Sequence, residues 1–394
     1  MKYNEIILQP KRERSVYHRH PWLFSGAVAK CTAKGEGEIV VVKDAKAVIL
    51  GYGFYSTKSQ IVCRMFDWSN EEKVFDQAYW THKIYLAYTL RKAIINTEHT
   101  NTYRLLHAEG DFLPGVIADV YADVVVLQIL VTGTQNILPL LCEALNQNGF
   151  AKIYLKHKQS SANREGLNLK SGWLTGDASI SIEVLENGNT FLVDIEEGQK
   201  TGLFIDQRDN RKLLQDLSKD RTVLNTFSYS GGFSVYALAG GAKEVCSVDI
   251  SDSAIAQCDT NVALSSAHYK GIHRSEVKDC FDYLVEMPDD HYDLIVLDPP
   301  AFAKHARAVD NAAKGYKQIN LSALRKIKSG GILFTFSCSQ NISKELFQKI
   351  VFGAAADAKR NVRIIHQLHQ PADHPVNIYH PEGEYLKGLV LWVD

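Results

Sequence analysis

The stretch Val223–Leu224–Asn225–Thr226–Phe227–Ser228–Tyr229–Ser230–Gly231–Gly232–Phe233–Ser234 reads as a buried strand, a tight turn and the start of a helix. Eighteen residues beyond Gly231, a second apolar run, Val245–Cys246–Ser247–Val248, ends in Asp249. A glycine turn after one strand and a carboxylate at the tip of the next, about 20 residues on, suits a nucleoside at the carboxyl edge of a parallel sheet, the acid facing ribose hydroxyls. The glycines let backbone approach a ligand closely. The fuller G-x-G-x-x-G that cradles a pyrophosphate is missing, so a nucleoside without pyrophosphate is expected, which favours S-adenosylmethionine over NAD. Glycine turns also occur in purely structural roles, so the flanking sequence has to decide.

Outward from this turn the rhythm is regular. Strands are expected at Thr222–Phe227, Glu244–Asp249, Ser275–Lys278, Tyr292–Leu297, Gly331–Phe336, Val362–Gln367 and Leu386–Trp392, with helical stretches between nearly all of them. Such alternation implies a mostly parallel sheet covered on both faces. The third strand ends at Lys278–Asp279–Cys280, where a carboxylate is placed to accept from an adenine amino group. The fourth ends in Asp298–Pro299–Pro300–Ala301–Phe302. Each proline ring locks φ and restrains the residue before it. The turn therefore holds Asp298 and a backbone carbonyl against a planar base, with Phe302 available for stacking. Lys304 follows, the first of seven Lys or Arg in 304–328 against Asp310 alone.

The fifth strand ends in Ser337–Cys338–Ser339, beside the fourth by chain order. Carbon 5 of a pyrimidine is a poor nucleophile until a thiolate adds at carbon 6. Cys338 fits that nucleophile, and Asp298 fits a partner for the ring nitrogen and amino group. Most free cysteines are inert packing residues, which describes Cys31, Cys63, Cys142 and Cys246; Cys258 and Cys280 suit helix surface or packing. Upstream of the first sheet strand, Phe204 and Asp206 precede Arg208 and Arg211. Asp206 is placed to cap the next helix. Cations at a helix start oppose its dipole, which hints at a phosphate or carboxylate contact, although an exposed charged face explains them as well.

The first 66 residues read differently. Short strands at Glu38–Val42, Ala47–Tyr55 and Gln60–Met65, broken by glycines, suggest a small β-barrel. Helical spacing from Glu71 to about Asn96, strands at Tyr103–Ala108, Gly115–Val120 and Val124–Val131, a helix Gln135–Asn148 and a strand Lys152–Leu155 make an α+β block over 70–180. The polar stretch 156–176 reads as an exposed loop. The expected organisation is thus a barrel at 1–66, a central α+β domain at 70–180 and an α/β domain at 181–394.

The whole chain has 394 residues, 45% hydrophobic, with 44 Lys and Arg against 45 Asp and Glu, a net charge of -1. This is globular composition, which excludes disorder, collagen-like repeats and coiled coil. No apolar run approaches the ~18–20 residues of a membrane span, and the start lacks the apolar core of a signal peptide. Seven scattered Cys without a CxxC pair point to a reduced, cytoplasmic protein with no disulfide framework and no metal site. The near-zero charge conceals an asymmetry: residues 1–66 hold eleven Lys and Arg against five Asp and Glu, a net of +6 (11 − 5). Arg12, Arg14 and Arg19 belong to that segment, and Lys152, Lys156, Lys158 and Arg164 form a further cluster. Basic clusters of this kind suit a nucleic-acid partner, although an unevenly charged surface explains them too.

Taken together, HRHPWLFSGAV, KTGLFIDQRDNR, NTFSYSGGFSV, SVDIS, DPPAF, TFSCS and DHPV with EYLKG resemble, in the same order and across essentially the whole chain, the RlmI-like class I methyltransferases acting on cytosine carbon 5 of 23S ribosomal RNA. The resemblance implies a PUA domain, a central mixed domain and a seven-stranded Rossmann-like catalytic domain using S-adenosylmethionine. It implies Cys338 as nucleophile and Asn225, Phe227, Ser228, Gly231, Asp249, Asp279 and Asp298 in the cofactor pocket, with Phe204, Asp206 and Arg211 beside it. Pro299, Pro300, Phe302, Lys304, Arg12, Arg14 and Arg19 are expected on the RNA side. The sequence departs from many RNA cytosine-C5 enzymes, which carry a second Cys after the fourth strand where this chain has Asp298–Pro299–Pro300; that turn also resembles enzymes methylating exocyclic amines. Free 23S RNA or an assembly intermediate is the expected partner, no membrane is involved, and a homodimer is allowed.

Overall fold

A computed structural model describes residues 3–157, 166–265, 269–303 and 306–394. The chain forms two compact units: residues 1–184, 193–203 and 372–383 in the first, and residues 185–192, 204–371 and 384–394 in the second.

In the first unit, strands β1 (Asn4–Leu8), β2 (Trp22–Phe24), β3 (Val28–Cys31), β4 (Ile39–Lys43), β5 (Ile49–Tyr55) and β6 (Ile61–Asp67) form a sheet ordered β2-β6-β5-β4-β1-β3. Its strands alternate, as a period of two requires. Val40 and Val42 of β4 join Ile6, Leu8, Leu23, Cys63 and Met65 in one core, and Val41 between them joins another. That second core also contains Tyr52, Phe54 and Phe66 from the barrel, Trp80 and Ile84 from the helix Gln77–Ile94, and Leu105 and Val125 from the next sheet. The barrel and the central segment therefore share apolar packing.

The next sheet comprises β7 (Thr102–His107), β8 (Val116–Tyr121), β9 (Val124–Ile129), β10 (Lys152–Leu155) and β11 (Gly172–Thr175), in the order β11-β10-β9-β8-β7. Strand β11 lies within the stretch expected to be loop, and Pro139 divides the expected helix into Thr132–Asn136 and Leu138–Gln147. Buried Arg91 donates to Asp111 Oδ2, to the Arg104 carbonyl and to the Asp373 carbonyl, each at 2.8 Å. The Arg104 amide donates to Asp373 Oδ2 at 2.9 Å. Residues 372–383 are thus held by polar contacts to segments nearly 300 positions earlier.

A hairpin of β12 (Ser181–Glu186) and β13 (Asn189–Asp194) carries the chain between the units. The second unit is built on β14 (Thr222–Thr226), β15 (Glu244–Asp249), β16 (Ile272–Val277), β17 (Leu294–Leu297), β18 (Gly331–Ser337), β19 (Val362–Leu368) and β20 (Lys387–Val393). The order is β16-β15-β14-β17-β18-β20-β19, parallel except for β20, which runs antiparallel to both neighbours. Order reverses at β14, so the crevice over β14, β15 and β17 is where an open α/β sheet takes its ligand. Helices Arg208–Asp216, Gly232–Ala239, Asp252–Leu264, Cys280–Glu286, Val309–Lys326 and Lys344–Ala358 accompany the sheet. The α/β sheet expected from the sequence is present in full. No helix among the described residues is long and apolar enough to cross a membrane.

Candidate active site

The turn after β14 is strained by design of its backbone: Phe227, Tyr229 and Gly231 all have positive φ, at 54°, 45° and 78°. Gly231 then starts the helix Gly232–Ala239. A Cβ on Gly231 would sit 2.4 Å from the Cys258 sulfur, so both conformation and space demand glycine. Gly231→Ala should cost about 2–4 kcal/mol of stability, from left-handed strain and overpacking, measured as a lower urea midpoint together with weaker S-adenosylmethionine binding by calorimetry.

Neighbouring side chains fasten this turn. Asp249 Oδ2 accepts the Tyr229 amide at 2.9 Å and Oδ1 accepts the Ser251 amide at 3.0 Å. The Phe227 amide donates to the Cys280 sulfur at 3.1 Å. Asp279 Oδ1 caps the helix Cys280–Glu286 through the amides of Phe281 and Asp282 at 2.7 and 3.3 Å. Asn225 Nδ2 donates to Ser234 Oγ at 2.8 Å. Asn225 Oδ1 and Ser228 Oγ are buried without a partner among the described residues. Leaving such groups unsatisfied costs about 1–3 kcal/mol each. Two orphaned polar atoms beside half-buried Asp249 and Asp279, with Phe204 and Tyr229 rings 5.1 Å apart edge to face, suit a nucleoside bearing an amino-acid chain.

Upstream, three residues settle differently from their expected surroundings. Asp206 does not cap the following helix; it lies within a short 3-10 turn and its Oδ2 accepts the Tyr385 hydroxyl at 2.6 Å, because the helix begins two residues later at Arg208, with Gln207 in the cap position. Arg208 is buried beside Asp209 at 3.4 Å. Arg211 is buried as well, not on an exposed face: Nε and Nη2 contact the Glu186 carboxylate at 2.7–2.9 Å, and Nη1 donates to the Phe204 carbonyl at 2.9 Å. The anticipated carboxylate contact is therefore one within the chain.

At the tips of β17 and β18 the Asp298–Pro299–Pro300 and Ser337–Cys338–Ser339 motifs meet. Cys338 Sγ lies 3.9 Å from the Pro299 carbonyl oxygen. Ser339 Oγ accepts the Ala303 amide at 3.1 Å and pairs with the Tyr316 hydroxyl at 2.9 Å, while Asn341 donates to the Ala303 carbonyl at 3.3 Å. Ser337 and Ser339 are fully buried and Cys338 between them is partly exposed. Asp298 and Phe302 are half-buried, Pro299 is buried and Pro300 exposed; the Phe302 ring lies 4.7 Å from Tyr316 and 5.9 Å from Phe281. Burial pushes the thiols of Cys258 and Cys280 up to about 12, so neither supplies a thiolate near neutrality.

One buried charge beside this site escaped the sequence reading. Lys387, opposite Ser337 in the β18–β20 ladder, is buried and donates to the carbonyls of Ser339 and Ile342, both at 2.7 Å. Burial pushes its pKa down to about 8, and the Cys338 sulfur acts the opposite way. That coupling is reciprocal: the ammonium favours the thiolate. A lone charge heading the apolar run Gly388–Val393 was the available signal. Between about pH 8 and its ordinary value of 10.5, folded Lys387 is neutral while the unfolded chain keeps the proton, so stability from this group rises with pH across that window. Relative to Lys387→Met, the wild type should gain in urea midpoint between pH 7.5 and 10.

Lys304, Lys158 and Arg164 lie outside the described residues. Arg12, Arg14 and Arg19 are exposed on the first unit. Part of the remaining basic clustering is internal. Lys156 is buried on the Gly198 carbonyl, and Lys152, Lys317 and Lys328 pair with Asp123, Asp357 and Asp293.

The sheet order, its antiparallel β20 and the crevice at the order reversal are those of a Rossmann-like S-adenosylmethionine-dependent methyltransferase. The S-adenosylmethionine-dependent methyltransferase family model matches residues 104–381, and the PUA-like domain model matches residues 6–68. The ribosomal RNA large subunit methyltransferases I of Tolumonas auensis and Alteromonas mediterranea are 41% and 39% identical over 392 and 393 residues, covering 98% and 99% of this chain and 98% of each relative. A Streptococcus mutans structure described as a SAM-dependent methyltransferase shares the fold at TM-score 0.83 and 24% identity, with 100% of both chains covered. The chain belongs to the family of the ribosomal RNA large subunit methyltransferases I.

Proposed function

We propose that the protein methylates carbon 5 of a cytosine in 23S ribosomal RNA through a covalent adduct on Cys338. The observation that carries this reading is the partly exposed thiol beside the Pro299 carbonyl, near the buried Lys387 ammonium. S-adenosylmethionine, when bound, supplies an electrophilic methyl group; Asn225, Ser228, Asp249 and Asp279 line the crevice that would hold it. The Cys338 thiolate adds to carbon 6 of the base, and the electron pair released to carbon 5 makes that carbon the nucleophile toward the methyl group. Loss of the carbon-5 proton then re-forms the double bond and expels the thiolate. Asp298 accepts from the amino group and lends a proton to the ring nitrogen as the thiolate adds, recovering it as the thiolate leaves, and so holds the base in plane, with Phe302 and Pro300 bounding it.

In this reading residues 1–66 bind RNA as a PUA domain, residues 70–180 form the central domain and 181–394 carry out catalysis in the cytoplasm. The RNA is free or part of an assembly intermediate. Mass spectrometry of 23S nucleosides from cells lacking the protein tests the product. Loss of one 5-methylcytidine supports the reading, whereas loss of a methylated guanine or an N-methylated base, or no loss at all as for a non-catalytic assembly factor, overturns it.

A further inference from the structure

Beyond the catalytic crevice, the first unit contains a cavity of about 440 Å³ whose lining includes Arg19, Asp67, Trp68, Lys73, Lys83 and Phe112. That volume is in the range of small-ligand pockets. Its lining comes from the barrel, from the helix Gln77–Ile94 and from the turn after β7. Arg19 reaches it from a left-handed backbone, φ 59°, with its guanidinium carbon 5.5 Å from the Trp68 ring centre and 5.6 Å from that of Tyr379. Trp68 and Phe112 stand edge to face at 6.0 Å. Lys83 Nζ donates to the Phe66 carbonyl at 2.7 Å and lies 6.0 Å from the Phe112 ring centre. Lys73 is neutralised by Asp67 at 3.0 Å. Neither Arg19 nor Lys83 is ion-paired among the described residues.

Two cations outside any ion pair among the described residues, beside a pair of aromatic rings, match a particular ligand chemistry. Phosphate takes the cations, and an unstacked base takes the rings and the guanidinium plane. An acidic peptide would use the cations and leave the rings idle. We propose that this cavity docks one unpaired nucleotide of the RNA substrate, its phosphate on Arg19 and Lys83 and its base against Trp68 and Phe112. The inference rests on the ribosomal-RNA reading above, but its test reads affinity rather than product, so either can fail alone.

The test is fluorescence anisotropy of the full chain with a labelled single-stranded oligoribonucleotide, across a salt series. R19A and K83M should each weaken binding about 5–20-fold and reduce the slope of log affinity against log salt by about 0.7, with S-adenosylmethionine affinity unchanged. Burial holds Lys83 down to about 8, with Asp67 and Asp111 favouring its ammonium and Lys73 and Arg19 opposing it; the Tyr79 hydroxyl at 3.4 Å stays neutral. Wild-type affinity should therefore fall between pH 7 and 9, and that of K83R should not. Unchanged affinity and salt slope in R19A, which alters an exposed side chain and carries the test should K83M unfold, overturns the proposal. So does adenosine monophosphate binding as tightly as the oligonucleotide, with the variants affecting only the mononucleotide.

Discussion

Cys338→Ala should lower methyl transfer at least about a thousand-fold, because removing a covalent nucleophile eliminates the route rather than slowing it, while S-adenosylmethionine affinity stays within twofold. Cys338 is partly buried and its sulfur lies 3.9 Å from the Pro299 carbonyl oxygen, so the small truncation should leave β18 and the buried neighbours Ser337 and Ser339 in place. RNA carrying 5-fluorocytidine at the target offers a second readout. A carbon 5 that cannot lose a proton cannot expel the thiol, so the wild type should form a protein–RNA adduct that survives denaturing electrophoresis. Cys338→Ala should form none. Full transfer activity in Cys338→Ala, or an adduct in that variant, would show that the thiol is a bystander.

The largest effect on stability is expected at Glu186. Its carboxylate is 0% exposed and Arg211 2% exposed; three short contacts join them, and the Tyr236 hydroxyl donates to the same carboxylate at 3.0 Å. Removing one partner of such a pair leaves an uncompensated buried charge, at a cost of about 3–5 kcal/mol. Glu186→Ala should therefore lower the unfolding temperature of the second unit by roughly 10 °C. Replacing both residues, as in Glu186→Leu with Arg211→Met, should recover most of that loss, since an apolar pair of similar volume carries no desolvation cost. Arg211 also packs 3.1 Å from where a Cβ on Gly232 would stand and holds the Phe204 carbonyl. Weaker S-adenosylmethionine binding should accompany the single change. A double variant as unstable as Glu186→Ala would refute the charge argument.

The catalytic sheet was legible in the sequence because each strand is an apolar run ending in a polar tip, and because helices of similar length separate them. The tips proposed to react stand out in the sequence for a related reason: Asp298–Pro299–Pro300 and Ser337–Cys338–Ser339 follow apolar strands with residues of a different character. Pairings made by tertiary contact were not legible. Glu186 and Arg211 meet only because a hairpin tip returns to the helix start, and nothing in either local sequence marks the other. Strand β11 was hidden in a polar stretch because an edge strand with half-exposed residues has no alternation to display. Basic clusters counted along the chain overstated the open charge, since Lys156 and Lys328 spend theirs on internal acceptors. The pocket around Arg19 gathers residues from four separate segments and has no sequence signature at all.

The division of the chain has a consequence for dissection and for descent. The polypeptide passes between the two units five times, at 184, 192, 203, 371 and 383. No single cut releases either unit whole: a fragment beginning near residue 181 would carry 193–203 and 372–383 without the buried Arg91, Arg104 and Tyr121 that hold them. Neither half is a cassette that gene fusion can exchange, so the two units must be inherited, expressed and engineered as one.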